Sequence, residues 1–426
     1  MKYNGLNIGF YLPNLSDAEN SGPLTFFNFI KQAFLEYQNT KNHKFFIICE
    51  NPKDLGDFSN ENITVLEMPK VESKTSLKFQ ELLRFRIGTW LHKIAKFFFL
   101  SIQINPLRQT ESDLNSHHYF QKKNIEDLID ENSIDLMVYA NQFELPSTNR
   151  PYIWILWDMA CKTISFFYQM EQSKKYLELV DLAAHNAFRV ITGSREGSKE
   201  INKFLSFPEE RIRTIPFPVP NDIIMANPIK PSIQSELGNY IYYPALLTPF
   251  KNHSVILEAL RILLDRNIVI NLALTGFNKG NLKHILNQAN ELGIEKQIHY
   301  LGVVSVEELS WLYQNAEALV YSSLIGPNNF PPIEAMALGT PCIVSNIQGH
   351  LDQLGENALF FDPLNPISLA DKIISLLDNP SIRTNLSNKG KDFTKELTHH
   401  NYLKELINCA DEFVPYRKNW ENFNDN

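Results

Sequence analysis

The 426-residue chain is 44 % apolar and 21 % charged, the balance of an ordinary globular protein with material for two or three domains. A net charge of −8 argues against general nucleic-acid binding, and it requires any anionic ligand to be held by local groups. The four cysteines, Cys49, Cys161, Cys342 and Cys409, lie far apart with no metal-ligand spacing, so a reduced cytoplasmic protein with no metal site is expected.

Asn7 to Leu12 reads as a first strand, and Met1 leads straight into it, so no signal peptide is expected. No apolar run reaches the length of a membrane span. After a polar loop, Ser21-Gly22-Pro23 opens a helix carrying Phe26, Phe27, Ile30, Ala33 and Phe34 at helical spacing. This strand, glycine-bearing loop and helix form a nucleotide-fold opening, although no GxGxxG is present. Phe45 to Cys49 and Ile63 to Glu67 follow as strands. Between Arg84 and Leu100, the apolar Ile87, Trp90, Ile94 and Phe97 share one helical face, and Arg86, Lys93 and Lys96 share the other. Two readings stay open for this segment: contact with an anionic bilayer surface, or a solvated helix packed on its own domain.

Ile125 to Asp130 reads as a helix, Asp135 to Tyr139 as a strand, and Tyr152 to Trp157 as another strand ending at Asp158. A polar residue at the end of a buried parallel strand sits at the binding edge of an open α/β sheet. Ser194 is expected to cap the helix that follows the strand ending at Thr192. Pro216, Pro218, Pro220, Pro228 and Pro231 mark the interdomain linker.

Tyr240 to Pro244 starts a second α/β series. Lys251, at its strand-to-helix junction, reads either as a diphosphate partner or as a solvated surface lysine. The strand Ile268 to Thr275 ends in Gly276-Phe277, a turn that would leave room for a nucleobase. Ser305-Val-Glu-Glu308 is a capping box. Ala318 to Tyr321 reads as a buried strand, and Pro331 and Pro332 fit the first turn of a helix that Gly339 stops. A helix N-terminus at the end of a parallel strand favours a phosphate. Glu334, expected in the same first turn, is suited to accept hydrogen bonds from sugar hydroxyls. Helices from Ile367, Ile382 and Tyr402 complete the chain, and the polar tail from Tyr416 is expected to be loose.

The run Phe330-Pro-Pro-Ile-Glu-Ala-Met-Ala-Leu-Gly-Thr-Pro-Cys-Ile-Val344 resembles the donor-binding segment of the family-4 (group 1) retaining glycosyltransferases. Gly326-Pro-Asn-Asn329 is similar to the loop of the O-antigen and polysaccharide-type sub-group. The resemblance covers most of residues 150–400 and little of the first 140. It implies the GT-B architecture, two Rossmann-like doubly wound domains facing a cleft. Residues 1–218 would form the acceptor-side domain, 219–405 the nucleotide-sugar-binding domain, and 406–426 a helix and tail crossing back to the first domain.

The resemblance also implies roles. Glu334 would hold the donor ribose, Lys251 the diphosphate, and Asn329, Phe330 and Pro331 would contact the donor. The backbone at Gly302-Val303 would meet the base, unless it is a simple turn. Gly22 would let backbone amides approach the transferred group, unless it is a plain turn glycine. Asp158 would orient an acceptor hydroxyl, unless it only caps the next helix. The chain departs from the family pattern at three positions: Gly326 replaces a second Glu, Leu246 a second cation, and Cys161 a frequent His. The implied activity is metal-independent, retaining transfer of a hexose from a UDP- or GDP-linked sugar to a glycan or lipid-linked acceptor, with no cofactor. The acceptor would place the protein in the cytoplasm at the inner face of a membrane, with residues 84–100 as the peripheral contact. The alternative is a non-catalytic relative that binds nucleotide-sugars or glycans.

Overall fold

The computed structural model describes residues 5–12, 22–37, 43–49, 51–52, 62–68, 125–140, 148–167, 170–232 and 237–421. The segment 84–100 lies outside them. Two parallel sheets organise the chain. The first holds β1 (Asn7–Tyr11), β2 (Lys44–Cys49), β3 (Ile63–Glu67), β4 (Leu136–Tyr139), β5 (Tyr152–Ile155), β6 (Arg189–Thr192) and β7 (Ile212–Thr214), in the spatial order β3-β2-β1-β4-β5-β6-β7. The second holds β8 (Tyr240–Pro244), β9 (Asn271–Thr275), β10 (Ile298–Tyr300), β11 (Ala318–Tyr321), β12 (Cys342–Ser345) and β13 (Leu359–Phe361), ordered β10-β9-β8-β11-β12-β13. The strands in the middle of each sheet are apolar throughout because helices cover both faces; every residue of β4, β5, β8, β11 and β12 is buried.

Each sheet reverses its direction of winding once, between β1 and β4 in the first and between β8 and β11 in the second. Such reversals open a crevice at the C-terminal ends of the two strands, the place where doubly wound sheets bind ligands.

One face of the first sheet packs on Phe29, Ile30 and Phe34 of the helix Gly22–Glu36, and on Tyr402, Leu406, Ile407 and Phe413 from the far end of the chain. The other face packs on Ile125, Ile129, Val180, Ala184, Ile201 and Leu205. A single separate core surrounds the second sheet. The helix His399–Asp411 therefore leaves the second sheet and docks on the first, with Tyr402 edge-on to Phe29 at 5.2 Å. Ion pairs tie it there: His43 with Asp411 at 2.8 Å, His399 with Glu36 at 2.7 Å, and Arg189 and Arg213 with Glu412 at 2.8 and 2.9 Å. Most of these pairs are partly solvated, so each adds no more than about 1 kcal/mol, and the buried aromatic and aliphatic face supplies most of the docking energy.

The expected loose tail from Tyr416 is overturned in part. Val414–Glu421 is helical, with Arg417 donating to Asp135 at 2.6 Å and the Tyr416 ring 5.5 Å from that of Phe188. Polar composition alone misread a segment that tertiary contacts order.

Candidate functional site

The helix Phe330–Leu338 follows β11 at the reversal of the second sheet. It begins where Pro331 fixes the backbone at the second helical position, and it ends at Gly339, whose φ of 84° is the left-handed conformation glycine tolerates. The prolines also limit its chemistry. Of the first four helical residues, only Phe330 and Ile333 carry an N–H, so the dense amide cradle expected near Phe330 is half as rich as an ordinary helix start. The Asn329 N–H is already donated to Gln353 Oε1 at 3.0 Å, and Gln353 Nε2 donates to the Asn329 carbonyl at 2.8 Å.

Lys251 closes a 3-10 turn after β8, and Asn252, at a φ of 53°, turns the chain into the helix His253–Asp265. Its carbonyl is fixed by the Tyr243 hydroxyl at 2.7 Å and the Ser322 hydroxyl at 2.9 Å. Its ammonium donates to Tyr321 Oη at 2.7 Å, and Tyr321 in turn donates to Asn329 Oδ1 at 2.9 Å. Lys251 and Asn329 are thus joined through one bridging hydroxyl across the β8–β11 crevice. Beside them His253 is buried with neither ring nitrogen paired, and burial together with the Lys251 charge pushes its pKa down to about 3. It is a neutral wall of the site.

Glu334 is the fifth residue of its helix, just past the first turn where it is expected, because the helix starts one residue earlier, at Phe330. Its carboxyl is buried and accepts the Tyr313 hydroxyl at 2.6 Å. Burial pushes its pKa up to about 7; the Tyr313 bond opposes the shift and the nearby Asp222 adds to it. Tyr242, bonded to Thr275 at 2.6 Å, stands edge-on to Tyr313 at 5.1 Å. Glu334 is therefore buried against Tyr313, with Tyr242 packed behind that ring.

Two departures from the family pattern have different local settings. At Gly326, φ is 127°, and a Cβ would lie 2.8 Å from the Asn329 amide. A Cβ on Gly349 would in turn meet the Gly326 carbonyl at 2.5 Å. A side chain at Gly326 is strained at that φ and must push the Asn329 amide aside. Leu246, by contrast, is 38 % exposed.

Gly276, at a φ of 126°, is needed because a Cβ there would lie 2.2 Å from the Ala245 carbonyl. Its N–H donates to the Gly302 carbonyl at 2.8 Å, which places Gly276 beside the exposed Val303. Gly22 is the first residue of the helix Gly22–Glu36, and the loop before it lies outside the described residues.

The two sheets meet near this site. Asn328 Nδ2 donates to the Trp157 carbonyl at 3.1 Å, and it lies so close to Gly193 that a Cβ there would sit 2.4 Å from Asn328 Oδ1. The Glu196 N–H donates to Asp352 Oδ2 at 3.0 Å. Asp158, next to Trp157, accepts the Ala160 N–H at 2.9 Å, a side-chain turn bond one residue ahead of the Met159 N-cap of the helix Ala160–Thr163. Cys161 on that helix is buried, and its thiol is pushed up to about 11, which leaves it unreactive. Glu200, accepting the Met159 N–H at 3.2 Å, is raised by burial to about 7.

The structure joins Lys251 and Asn329 through Tyr321 and leaves Glu334 on Tyr313; Tyr321, Tyr313, His350 and Gln353, which hold these groups, carry no mark of that placement in the sequence. Tyr321 was hidden in an apolar strand; the available signal was a hydroxyl at the C-terminal end of a strand at the sheet's reversal.

Comparison with known proteins follows the same division. Residues 228–393 match the family described as glycosyl transferases group 1. O-antigen chain mannosyltransferase B of Escherichia coli is 25 % identical over 282 residues, which cover 65 % of this chain and 74 % of that protein. The sucrose-phosphate synthase structure from Thermosynechococcus elongatus superposes with a TM-score of 0.68 at 14 % identity, covering 96 % of this chain and 100 % of the other. Anabaena HepE in complex with UDP gives a TM-score of 0.62 at 15 % identity, covering 96 % and 100 %. At those identities the structures establish a shared two-sheet fold.

Proposed function

We propose, from the premise that this chain is a group 1 glycosyltransferase on the GT-B architecture, that it moves a hexose with retention from a nucleoside-diphosphate sugar to a glycan or lipid-linked acceptor. The observation carrying this reading is the seat of Lys251: an ammonium held across the β8–β11 reversal, one hydroxyl away from the cap of the helix Phe330–Leu338. A diphosphate placed there meets the Lys251 charge and the Phe330 N–H. The nucleoside then extends toward Gly276 and Val303, and its ribose replaces the Tyr313 hydroxyl on Glu334.

In the transfer, the bond from the sugar's anomeric carbon to the phosphate oxygen breaks, and a bond to the acceptor oxygen forms on the same face. The acceptor's proton passes to the departing phosphate, whose growing charge Lys251 stabilises. Asp158 would orient the acceptor from the other side of the cleft, where Asn328 already touches the Trp157 carbonyl. The names of the relatives make a mannosyl donor the first to try. A membrane-linked acceptor would place the protein at the inner face of a bilayer.

The test is incubation with GDP-, UDP- and dTDP-sugars and a crude glycolipid acceptor, following release of free nucleotide. Release that needs one donor, and that Lys251→Ala abolishes, supports the reading. Donor binding without release by any sugar overturns the transfer chemistry and leaves a binding protein.

A further inference from the structure

The Lys251 ammonium ends a buried chain of hydrogen bonds whose direction is fixed at both ends. At the far end lies His350, which is fully buried. Its Nδ1 is 2.9 Å from the Ser345 carbonyl and 3.0 Å from the Ser345 hydroxyl, which itself donates to the Ser323 carbonyl at 2.5 Å. A carbonyl only accepts, so Nδ1 carries the proton, and Nε2 of the neutral ring is an acceptor. Nε2 therefore takes an N–H from Asn329 Nδ2 at 3.1 Å, and the same amide nitrogen donates to the Gly326 carbonyl at 3.0 Å. That orients Asn329 Oδ1 toward Tyr321, which must donate to it at 2.9 Å. With its one proton committed, Tyr321 Oη can offer Lys251 only lone pairs, and it receives the ammonium at 2.7 Å. The near end gives the same direction independently, because an ammonium has no lone pair to offer.

We propose that Tyr321 is a positioning residue for Lys251, aimed by Asn329 and by His350 as its Nδ1-protonated tautomer, so that the ammonium is held at the start of the helix Phe330–Leu338. This rests on the assignment of Lys251 to the donor diphosphate. A lysine side chain has four rotatable bonds and a mobile charge; holding it before the ligand arrives removes an ordering cost from binding. Tyr321 thus supplies direction without supplying charge.

The experiment is a double-mutant cycle on nucleotide affinity, with GDP and UDP as the titrated probes on the full chain. Lys251→Ala is expected to weaken the nucleotide that binds by about 100-fold, and Tyr321→Phe, which keeps the ring, by about tenfold. In the Lys251→Ala background, Tyr321→Phe should cost nothing further, because its effect passes through the lysine. An equal loss in both backgrounds overturns the proposal. If Lys251→Ala weakens binding and Tyr321→Phe does not, only the positioning role falls. If Lys251→Ala is neutral, or neither nucleotide binds the wild type, the donor-site reading falls and takes this inference with it. His350→Gln, which can donate to Ser345 and accept from Asn329, should rescue the tenfold loss produced by His350→Leu. A tautomer measurement needs no variant: nitrogen-15 shifts of His350 in the wild-type protein should show a proton on Nδ1, and a proton on Nε2 would sink the proposal.

Discussion

The two sheets share a plan and differ in what stands at the point where each reverses. Among the described residues, β1 and β4 end in apolar and aromatic side chains, with the Tyr11 and Tyr139 rings 5.5 Å apart; the stretches that follow, 13–21 and 141–147, lie outside those residues. β8 and β11 end in a concentration of buried polar groups: Ser322, Ser323, Asn329, Ser345 and His350 are all below 10 % exposed. Burying that many polar atoms is costly unless each is paired: Ser345, His350 and Asn329 are paired along the chain to Lys251, while the Ser322 hydroxyl donates to the Lys251 carbonyl and that of Ser323 to the Ile325 carbonyl. Topology makes two crevices, and among the described residues the buried polar groups gather at the second. The other sheet contributes through contact, with Trp157 and Gly193 meeting Asn328.

The sharpest test of that asymmetry is Lys251→Ala. If the second sheet alone grips the diphosphate, turnover with the best donor should fall by about 10²–10³, the range for losing one preorganised group at a developing charge. The thermal midpoint should hardly move, since Lys251 is only partly buried. Nucleotide-release rates decide it; a loss below threefold removes Lys251 from the site.

Glu334→Gln probes the same region through pH. The folded-state pKa of Glu334, about 7, is raised from an ordinary value of 4.5, so its contribution to stability is fully present below about pH 4.5 and is lost as pH rises through 7. The variant keeps an acceptor for Tyr313 and has no charge to bury. Between those pH values the wild type should lose roughly 3 kcal/mol relative to it. Glu200 titrates in the same window, so the difference between the two proteins, read from denaturant midpoints at pH 5 and 8, is the informative quantity. Equal pH profiles would place the Glu334 carboxyl in water.

Gly326→Glu asks whether the missing carboxylate can be restored. At a φ of 127°, with the Asn329 amide in the way, the change should cost about 1–3 kcal/mol in backbone strain and break the Asn329 seat, lowering turnover instead of raising it. A stable, more active variant would show that the loop relaxes freely.

The sheets were legible from sequence because parallel strands covered on both faces are continuous apolar runs, as in Leu136-Met-Val-Tyr139 and Ala318-Leu-Val-Tyr321. Lys251 and Asn329 were legible because both stand at a strand-to-helix junction. Tyr321 was not, since an aromatic at the end of an apolar run carries no mark of its hydroxyl's partner. His350 and Gln353 act on Asn329 from 21 and 24 residues away, a proximity that only the packed helix Gln348–Leu354 creates. Glu334 falls one residue past the first turn because the local sequence fixes proline positions better than it fixes the first helical residue.

The smallest expected effect bears most directly on the division between sheets. Asp158 accepts the first N–H of Ala160–Thr163 with one oxygen, and Asn in its place keeps an accepting oxygen, so Asp158→Asn should cost less than about 1 kcal/mol in stability. Because the residue belongs to the first sheet, nucleotide affinity should stay within about twofold of wild type while transfer to acceptor slows by about tenfold, a loss confined to steps after donor binding. Titration calorimetry with GDP or UDP, beside acceptor-dependent nucleotide release, separates the two quantities. If nucleotide affinity falls as far as turnover does, the cleft is one continuous donor site and the first sheet is part of it. If neither changes, that bond is all that Asp158 provides, and the acceptor must be oriented by another group.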